Sequence, residues 1–132
     1  MTRIPFLLLP AFLVAAATLL AGRPAISLAA PAEPPELLMG SEIQALLAGN
    51  TVTGTTARRG TFTDFYHPDG TVKGHGYTGS WTVENNALCL KLGGDNAKNC
   101  WQLGRKGNEI QWLRDGKVMG TATVTPGNPD NL

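Results

Sequence analysis

Residues 79–103 read GSWTVENNALCLKLGGDNAKNCWQL, and this stretch decides the fold. Ala87–Leu92 and Lys98–Leu103 both alternate apolar with polar side chains, and the Gly93-Gly94-Asp95-Asn96 loop between them is made of turn formers. Setting Cys89 opposite Cys100 places Leu88 opposite Trp101, Leu90 opposite Asn99 and Leu92 opposite Ala97. Leu88, Leu90, Leu92, Trp101 and Leu103 then share one face of a hairpin, and Cys89, Lys91, Lys98, Cys100 and Gln102 share the other. A slip by one residue would break the apolar face and part the two sulfurs at once. Directly opposed residues in such a ladder have Cβ atoms about 4.5–5.5 Å apart, near the spacing of a disulfide. The pair reads as a structural staple contributing about 3 kcal/mol in the chain-entropy model. A redox-active pair would more usually be a close C-x-x-C at a helix N-terminus.

Upstream, residues 1–29 have the three parts of a secretory signal peptide: a positive start at Arg3, an apolar run from Ile4 to Ala21, and small residues at Ser27 and Ala29. Cleavage is expected before Ala30. Leu19-Leu20-Ala21-Gly22 begins like a lipoprotein box, but Arg23 stands where the lipidated cysteine would be. Membrane contact is therefore expected only through this segment, before cleavage. Export accounts for the cysteine pair, because bridges persist in oxidising compartments.

The chain of 132 residues carries eleven Lys and Arg, and removing Arg3 and Arg23 leaves nine against ten Asp and Glu. No basic stripe is visible, which speaks against a nucleic-acid partner. No G-x-S-x-G, H-E-x-x-H, P-loop or dinucleotide-binding glycine pattern occurs. No cofactor or metal is expected from these motifs.

Residues 30–40, with their PAEPPE run, read as an extended linker. A short helix follows, with Ser41 as N-cap, Gln44 completing a capping box, an apolar stripe of Ile43, Leu46 and Leu47, and Gly49 at its end. Eight strands are expected beyond it, near 51–57, 61–67, 71–77, 80–85, 87–92, 98–103, 108–114 and 118–124. Their short Gly/Asn/Asp connections force antiparallel neighbours, and eight strands in a meander can close and remove their edges. The expected architecture is an all-β domain over residues 41–124, an eight-stranded antiparallel meander forming a small, closed or nearly closed barrel with one short N-terminal helix. Residues 125–132, with two prolines, read as a disordered tail.

His67-Pro68-Asp69-Gly70-Thr71 suits a type I turn with a glycine bulge, which pairs His67 with Thr71. Phe62, Tyr66, Val72, Gly74 and Gly76 then face inward, and the two glycines either relieve the bend of a barrel or leave room for a neighbour or a ligand. His67 and His75 lie too far apart along this ladder to hold one metal ion and read as surface residues. A shorter loop would instead set Asp64 opposite His75, without a visible nucleophile beside them. Arg58-Arg59-Gly60 reads as a solvated turn.

Phe62, Tyr66, Trp81, Trp101 and Trp112 come from different strands and form the candidate ligand-binding set. Converging aromatics can hold an apolar or planar ligand, and they can equally fill a small barrel.

At Tyr66-His67-Pro68-Asp69-Gly70-Thr71, Gly79-Ser80-Trp81 and Cys89…Cys100-Trp101, the chain resembles a family of small exported bacterial proteins of unknown function, over roughly residues 38–124. The resemblance implies a periplasmic or secreted setting. Gly79-Ser80-Trp81 is also similar to the G-x-W of lipocalins and to a glycine-tryptophan pair in avidins, an analogy of barrel architecture. The function expected is a non-enzymatic exported binding module for a small apolar or aromatic ligand. The alternative is a protein-binding module, such as a hydrolase inhibitor acting through its loops.

Overall fold

The computed structural model describes residues 22, 24–31, 33–94 and 97–132. Most of the leader read at 1–29 and the tip residues Asp95 and Asn96 lie outside the described residues. The described part of the first 32 residues carries no helix or strand.

Glu33–Leu132 forms the second unit. Its elements are β1 (Glu36–Leu37), α1 (Gly40–Leu47), β2 (Asn50–Thr56), β3 (Gly60–Tyr66), β4 (Thr71–Gly74), β5 (Tyr77–Glu84), β6 (Ala87–Leu92), β7 (Lys98–Lys106), β8 (Glu109–Arg114) and β9 (Lys117–Pro126). Strands β2 to β9 pair antiparallel in sequence order, and β9 returns to β2. An eight-stranded up-and-down barrel closes in this way and leaves no edge strand, although β3 and β7 each outrun one of their ladders.

The β6–β7 hairpin has the expected register: Cys89 pairs with Cys100, Leu88 with Trp101 and Leu90 with Asn99, and the two sulfurs are joined. The disulfide is on the outer face, opposite in parity to Leu88, Leu90 and Leu103, and Cys89 is itself buried there. The turn at 67–71 is also as expected, with His67 N–H donating to the Thr71 carbonyl at 2.8 Å.

Four features differ from the sequence reading. First, the linker ends in β1, which pairs with β7 at Gly104 and Arg105. β7 extends past the end of its ladder with β6, and β1 covers the edge left over. Second, α1 begins at Gly40, and Met39 rather than Ser41 is its N-cap. Glu42 accepts a hydrogen bond from the Met39 N–H at 2.7 Å, and Asn86 from the distant β5–β6 turn accepts from Gly40 N–H at 2.7 Å. That cap comes from 46 positions away and has no local sequence signature. Third, β4 stops at Gly74, and a two-residue His75-Gly76 turn leads into β5, so Gly74 pairs with Tyr77. Fourth, β9 runs to Pro126, so Thr125 and Pro126 are strand, and Asn50 and Thr51 bond the Gly127 backbone.

The helix lies across the barrel end that carries the β5–β6 turn, with Ile43 and Leu47 fully buried. Its eight residues are too few to hold a helix alone, so this burial is what keeps it folded. Asn50 ties it down by donating to the Leu46 carbonyl at 2.8 Å. The core above it is one cluster that runs through Tyr66, Trp81, Leu88 and Leu103 to Phe62 and Trp112.

Candidate ligand-binding site

With one barrel end closed by α1, the other is the open one. The turns β2–β3, β4–β5, β6–β7 and β8–β9 all lie there, because antiparallel neighbours alternate their connections between ends. A cavity of about 310 Å³ opens at this end. Its apolar lining is Phe62, Leu90, Leu92, Trp101, Trp112 and Met119, and its polar lining is Thr56, Arg58, Arg59, Asn99 and Arg114. The volume is at the lower end of the range of about 300–1,000 Å³ common for small-molecule sites.

The cavity walls are aromatic rings held edge to face. Trp112 meets Phe62 at 5.9 Å and 84°, and Trp101 at 5.7 Å and 86°. Such T-shaped contacts are worth about 0.5–1.5 kcal/mol beyond the area they bury. Two of the rings sit across from a glycine: Phe62 pairs with Gly54, and Trp112 with Gly120, while Trp101 pairs with Leu88. A bulge between Trp112 and Leu113 shifts the β8–β9 register at the rim.

Of the five aromatics expected to converge, three do so here: Phe62, Trp101 and Trp112. Trp81 and Tyr66 belong to the core instead. Their rings pack on each other at 5.5 Å and 80°, and the Trp81 indole N–H donates to the His67 carbonyl at 2.9 Å. Trp81 is thus a fully partnered core residue. The Trp112 N–H and the Tyr66 hydroxyl, by contrast, are buried without a hydrogen-bond partner among the described residues.

Beside the cavity lies a polar cluster that the sequence reading missed. Asp64 is fully buried on the inner face of β3. Arg59 forms a two-point ion pair with it, Nη1 to Oδ2 at 2.8 Å and Nη2 to Oδ1 at 3.0 Å. Arg59 also donates to the Tyr77 hydroxyl at 2.6 Å, and that hydroxyl in turn donates to Asp64 Oδ1. The guanidinium stands 4.4 Å from the Phe62 ring centroid. Arg59 is therefore no solvated turn residue: it folds inward because a buried carboxylate requires a partner. Gly74 makes the arrangement possible, since a Cβ there would overlap the Tyr77 ring. Of the roles open to this glycine, room for a bulky neighbour is the one the structure shows.

Burial, reinforced by the hydrogen bond to Asp64, holds the Tyr77 hydroxyl well above its ordinary pKa. Burial first, and then the nearby Asp64 charge, does the same for Tyr66.

Asp64 pairs with Gly74 across the β3–β4 ladder, so it does not meet His75. His75 instead borders a second, more open depression of about 460 Å³ with Thr61, Thr63 and Tyr77. It opens because β4 is short and leaves Gly60–Thr63 paired only with β2. His67 packs edge-on against Phe65 at 4.4 Å. The two histidines do not share a site.

Arg58, Arg59 and Arg114 line the site beside the expected aromatics. For Arg114 a signal existed: it shares the parity of Ile110 and Trp112, hence the inner face of β8. It lies over Trp101, 4.9 Å from the ring centroid, and donates to the Cys100 carbonyl at 3.3 Å. Arg58 and Arg59 sit in a turn, where no periodicity indicates a direction.

Among the described residues no helix is long and apolar enough to cross a membrane. Comparison with protein-family models, with curated proteins and with solved structures finds no match to this chain.

Proposed function

We propose that the protein is an exported, non-enzymatic binding module that takes a small apolar or aromatic ligand into the open end of its barrel. The observation that carries this reading is the cavity itself: one barrel end is sealed by α1, while the other presents Phe62, Trp101 and Trp112 around about 310 Å³ of space. A barrel that served only as a scaffold could fill this end with side chains, as small barrels do. The disulfide accords with export to an oxidising compartment, periplasmic or secreted. A non-enzymatic role is favoured by the state of Asp64, the buried acid nearest the cavity, whose oxygens are engaged by Arg59 and Tyr77.

The test is a titration with the neutral fluorophore N-phenyl-1-naphthylamine, which brightens in apolar surroundings. Saturable binding by the wild type is expected, with at least about a tenfold weakening in Leu92→Trp, whose larger ring occupies the mouth. Binding unchanged by this substitution, in a protein that unfolds normally, would remove the cavity from the account.

A further inference from the structure

We infer that the ligand of this cavity is an organic anion, a planar aromatic body carrying a carboxylate or similar group, bound with its charge at Arg58 and Arg114. The inference rests on the cavity being a binding site and names the class of molecule it selects.

Charge distribution is the first support. Among the described residues three arginines line the cavity and no acidic residue does. Arg59 is neutralised by Asp64. Neither Arg58 nor Arg114 has a carboxylate partner among the described residues. The whole chain has a net charge of only +1, so a positive mouth is a local feature and not a reflection of overall composition. A neutral ligand seated here would cover guanidinium groups without supplying acceptors, and covering an unpaired charge is costly. A carboxylate supplies acceptors and matches the planar fork of an arginine.

Placement of the charge beside the rings is the second support. The Arg114 guanidinium sits over Trp101, which meets Trp112, which meets Phe62. A flat ligand body against these rings has its edge within the reach of Arg114, and Arg58 is exposed at the rim. A cationic ligand is excluded by repulsion from the same groups.

The test compares three probes of one shape: 2-naphthoate, the neutral 2-naphthamide and the cationic 2-naphthylmethylammonium, each titrated by calorimetry. The wild type is expected to bind naphthoate about tenfold or more tighter than the amide, and the ammonium most weakly. In Arg58→Gln/Arg114→Gln the two affinities should converge to within about threefold, through loss of naphthoate affinity and not gain of amide affinity. Arg58→Gln alone, at an exposed position, should remove part of the preference with no change in unfolding temperature, which covers the case of a double variant that fails to fold. Equal binding of amide and anion by the wild type, or a preference that survives both substitutions, would overturn the anion assignment while leaving the cavity reading intact. Failure of all three probes and of the neutral fluorophore would overturn both.

Discussion

Arg59 and Asp64 lie five positions apart around the β2–β3 turn and meet in a two-point ion pair whose carboxylate is fully buried. Breaking a buried pair from one side leaves an uncompensated charge, which typically costs about 3–5 kcal/mol. Arg59→Met is therefore expected to destabilise strongly, while Arg59→Met combined with Asp64→Leu recovers much of the loss. Urea unfolding of the single and double variants checks this. A double variant as unstable as the single one would show that the ion pair is not the source of the cost.

The chain has two tyrosines, Tyr66 and Tyr77, and both have hydroxyls held above the ordinary pKa, first by burial and then by Asp64. In the unfolded chain each would ionise near pH 10. A group whose folded pKa is raised contributes stability that is complete below the unfolded value and is lost as pH rises through the folded one. The urea midpoint should thus fall steadily above about pH 10, where the unfolded state has released protons that the folded state retains. Tyrosinate absorbance in the folded protein should stay absent at about pH 11 and appear only with unfolding.

Among the described residues the Tyr66 hydroxyl and the Trp112 N–H are buried without partners, whereas the Trp81 N–H has one. Leaving a polar group unsatisfied costs about 1–3 kcal/mol, so removing it returns stability. Tyr66→Phe is expected to leave the unfolding temperature unchanged or raise it. Trp81→Phe should lower stability by more than Trp112→Phe does, since it alone gives up a hydrogen bond. The ordering of the three midpoints in thermal unfolding is the measurement.

The disulfide joins β6 to β7 on the outer face and closes a separation of 11 residues. Replacing both cysteines with alanine should cost about 3 kcal/mol without changing the barrel, because the register is also fixed by the inward Leu88, Leu90 and Leu103. Denaturant unfolding measures the loss, and an unchanged far-ultraviolet circular dichroism spectrum shows that the fold persists.

The barrel was legible because its signals are local. Alternation in 87–92 and 98–103 and the His67–Thr71 bulge each specify a hairpin between chain neighbours, and closure follows from stringing such hairpins together. What escaped depends on partners distant in sequence or on chemistry without a period. β1 is two residues long and exists because β7 outruns β6. The early end of β4 turns on how Tyr77 fits over Gly74. In the site, parity alone finds Trp101 and Trp112 and brings Trp81 and Tyr66 with them. It cannot tell the sealed end of the barrel from the open one, because the helix that seals it makes its contacts with β5, β6 and their turn, far along the chain. Arg59 is invisible to pattern reading because it reaches inward from a turn, although the acid it meets, Asp64, shares the inward parity of Phe62 and Tyr66.

The most direct test of the central claim is native mass spectrometry of the protein purified after export and never refolded. The cavity account predicts a species heavier than the chain by a discrete small mass, lost on denaturation and restored by adding 2-naphthoate, with neither step occurring in Leu92→Trp. A bare mass that stays bare with naphthoate and with the neutral fluorophore alike would contradict it.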